Sequence, residues 1–381
     1  MFAAFLLASC ISTNLTPLQK GKTQLEEDEQ RIWNRSQEEE TLLDKSDIIY
    51  RDSTLTAYVN SIAQKLNTNL SQSGQLMFRV QVIKDPLLNA FTYPNGVIYI
   101  HTGILAKMEN EAQLATLLGH EMTHATHRHA TQNLRSLKNK TGFLSVFSVA
   151  TLPFGLYGSL ASLLGEIGTM ASISGYSQEL EREADNVGFE LMVQTGYDPH
   201  EAPKLFEHIK HDLEDEDEKE PFFFGSHPKV KDRIENYSKM LKKEYGDSSG
   251  RIGNDEFTKG ILPVILKNTE MDLSLGRFNS AKRSLEHYFH FDSTNGLAHY
   301  YLGEVYEQRE KERNVDLAEK EYTQAVVNQP GLAGPYKALG LIHMKQGKKE
   351  QAREELEKYL TLSPQAKDKN YIEQYIRTLQ N

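Results

Sequence analysis

Cysteine is nearly absent from this 381-residue chain. Its one cysteine, Cys10, allows no intramolecular disulfide, and no cysteine-based metal site is available. Positive charge is also in short supply. The formal net charge is −10 and the pI is near 5.8, and no basic cluster is visible, which argues against a nucleic-acid partner because neutralising phosphates requires one. Acidic runs such as EDEDEKE (214–220) read as solvated loop. One uncharged stretch needs separate treatment: residues 143–164 run for 22 residues without a charge, around Pro153, Gly155 and Gly158. On length alone that stretch is a membrane-span candidate. What the chain does have is apolar content, 39% of its residues, enough to bury a real core over two domains and a tether.

Cys10 closes the run FLLASC (5–10), apolar and then small. The run resembles a bacterial lipoprotein signal, with Leu7, Ala8, Ser9 and Cys10 at the lipobox positions. That resemblance implies cleavage before Cys10, a lipid on its thiol and, because Ile11 follows rather than aspartate, an anchor at the outer membrane. Several acyl chains, at roughly 0.8 kcal/mol per buried methylene, would hold more firmly than one. Residues 11–24 are polar and unpatterned, a tether. Helical periodicity runs over 25–70, MFRVQVI (77–83) alternates as a strand does, and NAFTYPNGVIYIHTGIL (89–105) reads as strand, Pro-Asn-Gly turn, strand and helix. Helices dominate from 109 to about 245. The Gly-, Ser- and Asp-rich stretch 244–255 marks a boundary. The expected layout is a signal at 1–10, a tether at 11–24, a first domain at 25–245, a linker at 246–255 and a second domain at 256–381. The expected class is mainly α with a small β-sheet.

The chemistry concentrates in LATLLGHEMTHATHRHA (114–130), which places ionisable side chains inside a segment of helical apolar spacing. His120, Glu121 and His124 form an HExxH sequence. On a helix the two histidines stack on one face and their rings can share one zinc ion. Glu121 lies about 100° round from His120 at ~3.6 residues per turn, within reach of water at the open metal position. Zinc would supply the Lewis acid and bring the water's pKa towards ~7, and the carboxylate would take the proton as water attacks a peptide carbonyl. A third ligand is needed, and SQELEREADNVGFELM (177–192) offers one. Glu179, Glu183, Asn186 and Glu190 fall on a wet stripe. Glu181, Ala184, Asp185, Gly188, Leu191 and Met192 fall on a small and apolar one. Carboxylates are rarely buried without a partner, so two on a buried stripe point to a metal. Glu181 is assigned as third ligand, and Asp185, one turn on, as the acceptor that orients a metal-bound histidine. Ala184 and Gly188 leave room for another helix. His127 and His129 are expected in surface or capping roles.

HEMTH, followed about sixty residues later by the Glu181-x-x-Ala184-Asp185 pattern, resembles the zinc metallopeptidases that include the CAAX prenyl proteases and the bacterial heat-shock membrane proteases. The likeness covers about residues 50–240 and extends to NAFTYPNGVIYIHTGIL and to SHPKVKDRI (226–234). It implies a gluzincin-type, thermolysin-like metalloendopeptidase body that acts on protein or peptide substrates in envelope quality control. His227 and Arg233 match positions of the family motif. His227 is expected at the metal's open position or on the tetrahedral intermediate, with a structural His-Pro turn as the alternative, and Arg233 is expected to hold the local fold. VIYIH (97–101) could pair with an extended substrate, as the family also implies. Because His124 and Glu181 must meet on one side of any membrane, an even number of crossings must separate them. The 22-residue stretch allows one, so it is expected to be a pair of short core helices or a flap, not a span.

The tail carries an internal repeat. Gly276 and Ala281, Gly303 and Ala318, then Gly340, Gly347 and Ala352 recur, with Leu285, Tyr322 and Leu356 four residues after each alanine, and Ala318 to Ala352 spans 34 residues. YKALGLIHMKQGKKEQAREELEKYLTLSP (336–364) resembles a tetratricopeptide unit, with Leu339, Gly340 and His343 at packing positions and Pro364 ending its second helix. EQREKERN (307–314) reads as a short insertion. Stacked helix pairs form an α-helical solenoid with a concave groove for a protein partner, here an outer-membrane assembly machinery, or they serve as a cap for the peptidase. Two functions stand at this level. One is a zinc endopeptidase of the bacterial envelope, lipid-anchored at the periplasmic face of the outer membrane. The other is a chaperone or scaffold with a structural zinc. Glu121 favours the first, since a structural site needs no general base.

Overall fold

The computed structural model describes residues 12–18, 24–70, 76–141, 164–174, 176–215, 230–308 and 314–380. Cys10, His227 and all but the last residue of the uncharged stretch 143–164 lie outside the described residues. No helix among the described residues is long and apolar enough to cross a membrane. The fold is mainly helical with one small sheet, and the chain divides into two units, Met1–Ile261 and Leu262–Asn381.

In the first unit, α1 (Glu27–Lys45) starts with Glu27, Asp28 and Glu29 and ends on Lys45, charges that complement the helix dipole. α2 (Ser53–Asn69) is capped by Asp52, whose carboxylate accepts the N–H groups of Thr54 and Leu55. Its buried residues Leu55, Val59, Ile62, Ala63 and Leu66 recur at helical spacing. The sheet holds β1 (Arg79–Ile83), β2 (Ala90–Thr92) and β3 (Val97–His101) in the order β1-β3-β2. β3 is parallel to β1, with Val80 opposite Ile98, and antiparallel to β2, with Phe91 opposite Tyr99. The expectation that VIYIH pairs with a substrate is therefore corrected: both edges of β3 are taken, and among the described residues β2 pairs with no strand other than β3.

After the single turn α3 (Thr102–Leu105) comes α4 (Glu111–Thr126), capped by the Asn110 side chain on the Gln113 N–H and buried at every residue. A helix covered all round is a core element. It packs against α2, β2 and two later helices, α7 and α8, given below. α5 (His129–Thr141) follows directly. α6 (Glu166–Thr169) runs into a π-helical turn (Met170–Ser174) that packs on β2. α7 (Gln178–Gln194), capped by Ser177, α8 (Glu201–Asp215) and α9 (Val230–Met240) complete the helices that place the site. The stretch read as a linker is tied down in its second half. Arg251 exchanges backbone hydrogen bonds with Gly196 and Asp198, and Ile252 and Gly253 accept from the first N–H groups of α4.

The division between the units falls within α10 (Asn254–Ser274). The second unit continues with α11 (Phe278–Phe289), α12 (Gly296–Gln308), α13 (Val315–Asn328), α14 (Ala333–Lys345), α15 (Lys349–Leu362) and α16 (Lys369–Leu379), each packed on the next from α11 onward. Ala281, Ala318 and Ala352 are fully buried, as are Leu285, Tyr322 and Leu356. Gly303 rests against the Tyr322 ring and Gly340 against Leu356, so the same small-residue contact recurs in consecutive helix pairs. Gly276 and Gly347, with φ of +73° and +77°, turn the chain after α10 and α14.

Candidate metal centre

His120 and His124 sit one turn apart on α4, buried, with their Nε2 atoms 3.0 Å from each other. Glu181, at the start of α7, places Oε2 3.5 Å from His120 Nε2 and Oε1 3.5 Å from His124 Nε2. The approach depends on two glycines at the helix crossing. A Cβ on Gly119 would stand 2.6 Å from the Gly188 carbonyl oxygen, and one on Gly188 2.6 Å from the Gly119 carbonyl carbon. One ligand atom from each of His120, His124 and Glu181 lies within 4.8 Å of the others, a group that could hold a metal ion. The surroundings fit a cation. Burial pushes the Glu181 carboxyl well above the usual carboxylate range, with Arg233 opposing, so a carboxylate there needs a positive charge close by. Two imidazoles and a carboxylate are a donor set suited to a first-row divalent metal.

The neighbouring groups are fixed in turn. Glu121 is 1% exposed and accepts a 2.7 Å hydrogen bond from the Thr92 hydroxyl on β2. Asp185 Oδ1 accepts from His120 Nδ1 at 2.9 Å, which keeps the proton on Nδ1 and leaves the Nε2 lone pair for a metal. Arg233 on α9 donates to both Asp185 oxygens, at 3.2 Å from Nε, and lies over the Phe206 ring at 4.1 Å. Tyr237, one turn beyond Arg233, donates its hydroxyl to Asp185 Oδ1 at 2.8 Å. The local role expected of Arg233 thus becomes specific: its guanidinium grips Asp185. The ring of Tyr176 stacks on His124, centroids 4.2 Å apart and 20° between planes.

One expectation is corrected. His127 does end α4 as its C-cap residue, but His129 is not a surface residue: it is fully buried, with Nδ1 2.9 Å from His124 Nδ1. Arg128 takes a φ of +61°, which breaks the helix between α4 and α5. Sequence reasoning missed Thr92, Tyr176, Tyr237 and His129 as neighbours of the site. Thr92 had a signal, a hydroxyl in a strand beside the HExxH helix, and so did Tyr237, four residues past Arg233 on one helix face. Tyr176 had none.

This geometry agrees with comparisons against known proteins. The description "Peptidase family M48" matches residues 53–241. The beta-barrel assembly-enhancing protease of Escherichia coli (strain K12) is 26% identical over 165 residues, covering 42% of this chain and 34% of that protein. The mitochondrial metalloendopeptidase OMA1 of Schizosaccharomyces pombe is 30% identical over 186 residues, covering 49% of this chain and 53% of that one. The chain therefore spans between a third and about half of these relatives' lengths. A solved structure of MamA covers 39% of this chain and 86% of its own at 20% identity, with a TM-score of 0.25, a likeness too weak to bear on the fold. With its HExxH helix crossing the Glu181 helix at paired glycines, the segment 53–241 of this chain is a peptidase family M48 domain.

Proposed function

We propose that this chain is a zinc-dependent endopeptidase, with His120, His124 and Glu181 as ligands and Glu121 as general base. The observation that carries the reading is the convergence of two imidazole nitrogens and a buried carboxylate beside a second carboxylate held by Thr92. A divalent ion there supplies Lewis acidity, polarising a carbonyl and acidifying water at neutral pH. Glu121 takes the proton from water as it attacks a peptide carbonyl and returns it to the departing amine. Thr92 holds one oxygen of Glu121, and Asp185, gripped by Arg233 and Tyr237, holds the Nδ1 proton of His120.

His227, outside the described residues, belongs to this reading as a contact to the metal's open position or to the tetrahedral intermediate. The envelope setting belongs to it too. Cys10 serves as a lipid anchor at the periplasmic face of the outer membrane, and the repeats dock an outer-membrane assembly machinery. The lipobox-like FLLASC and the name of the Escherichia coli relative support that setting.

The test compares peptide cleavage by the natural protein and by Glu121→Gln, with and without chelator. Glu121→Gln is expected to lose about 10²–10⁴-fold in rate while binding metal as before. Equal cleavage by the two proteins would overturn the mechanism.

A further inference from the structure

The two histidines of the metal centre are oriented by different means. His120 gives its Nδ1 proton to Asp185. His124 meets a different group at its Nδ1: a second imidazole, with His129 Nδ1 2.9 Å away. Proton positions follow from the chemistry. If His124 Nε2 faces a metal, its Nδ1 carries the hydrogen, so His129 Nδ1 must accept it and His129 must hold its own proton on Nε2. That Nε2 lies 3.4 Å from Glu183 Oε2 on α7, a side chain that the helical pattern assigned to the wet face and that is 44% exposed.

The backbone is arranged to make this contact. Continued as a helix, residues after Thr126 would carry His129 away from the face that bears His120 and His124. Arg128 at φ +61° breaks the helix, a conformation that is uncommon outside glycine, asparagine and aspartate. Its guanidinium is buried, bidentate on Glu29 and 3.2 Å from the Thr16 carbonyl. The conformation is thus held from outside the α4–α5 corner, and such enforced outliers concentrate at functional sites.

From this geometry we infer that His129, backed by Glu183, is a positioning residue for the proposed metal centre, setting the tautomer and ring angle of His124 as Asp185 does for His120. It touches no reacting atom. Its effect runs through His124, so the inference rests on the metal-site reading above. Partners of this kind typically change metal affinity by about 10–100-fold when removed.

Zinc affinity of the full chain, measured by chelator competition, tests the inference alongside melting of the metal-free proteins. His129→Ala is expected to bind zinc about 10–100-fold more weakly. His129→Asn, whose amide oxygen can stand where Nδ1 stood, should restore most of that loss, and Glu183→Gln should lose less than His129→Ala. Should His129→Ala bind as tightly as the natural protein, the inference is wrong. Equal losses in His129→Asn and His129→Ala would assign the effect to packing and overturn it as well. His120→Ala separates the two levels: zinc bound there with undiminished affinity would remove the metal centre itself. Loss in His120→Ala with none in His129→Ala would remove the positioning role alone.

Discussion

At the residue scale, the site shows how a buried charge is made tolerable. Asp185 is 2% exposed, and an isolated carboxylate there would be strongly disfavoured. It accepts from His120, from Arg233 and from the Tyr237 hydroxyl, so its lone pairs are met by three side chains from two helices. The repeat unit uses a different solution at His299 on α12. Its Nδ1 lies 2.6 Å from Glu321 and its Nε2 3.1 Å from the Ser293 carbonyl, so both nitrogens face acceptors. Burial opposes the charged ring, but the Glu321 carboxylate and the Ser293 carbonyl outweigh it and raise the pKa above the ordinary histidine value. A folded-state pKa above the unfolded one gives stability that is fully present below about pH 6.5 and lost as pH rises through the folded value. The repeat unit should therefore melt at a lower temperature at about pH 8 than at about pH 6, and His299→Gln should flatten that dependence. An unchanged slope in the variant would exclude the His299–Glu321 pair as its source.

At the element scale, the site is a property of one helix crossing. α4 supplies His120, Glu121 and His124, α7 supplies Glu181 and Asp185, and the two come together where neither backbone has a side chain between them. Alanine is ordinarily worth up to about 1 kcal/mol more than glycine inside a helix. Gly188→Ala should do the reverse. Its Cβ would stand 2.6 Å from both the Gly119 carbonyl carbon and the His120 N, backbone atoms that move only with the helix, so a loss of about 1–3 kcal/mol is expected. The same displacement carries Glu181 away from the histidines, and metal affinity should fall with stability. Thermal melting and chelator competition read both effects. A variant more stable than the natural protein would show that the helices are not held at this distance by the glycines.

At the scale of the whole molecule, His124 and Glu181 come from separate helices 57 residues apart in sequence, so an ion held between them binds the native first unit and not the unfolded chain. Mass action then stabilises that unit by about 2.7 kcal/mol at a free metal concentration of 100 Kd. All three proposed ligands lie in Met1–Ile261. Calorimetry with added zinc should raise the transition of this unit and leave that of Leu262–Asn381 in place, and His120→Ala should abolish the shift and so assign it. An equal shift in the repeat unit's transition would contradict a metal centre confined to the first unit.

Local pattern was enough to read much of this protein from its residues. HExxH needs only the helical period to bring two histidines together. The buried stripe of α7 follows from the same period, and Glu181, Ala184, Asp185, Gly188, Leu191 and Met192 are all buried. The Pro-Asn-Gly turn between β2 and β3 and the alanine spacing of the repeats are likewise set by neighbours in sequence. What the fold alone decided depends on long-range contact or on one backbone angle. Sheet order put β3 in the centre, between β1 and β2. Thr92 met Glu121 across 29 residues, and Arg233 and Tyr237 closed on Asp185 from α9. The turn at Arg128 is enforced by Glu29, 99 residues earlier, and it moved His129 from an expected surface position to the side of His124. Spacing along a chain specifies which side chains share a helix face, whereas which faces meet is set by packing the whole core.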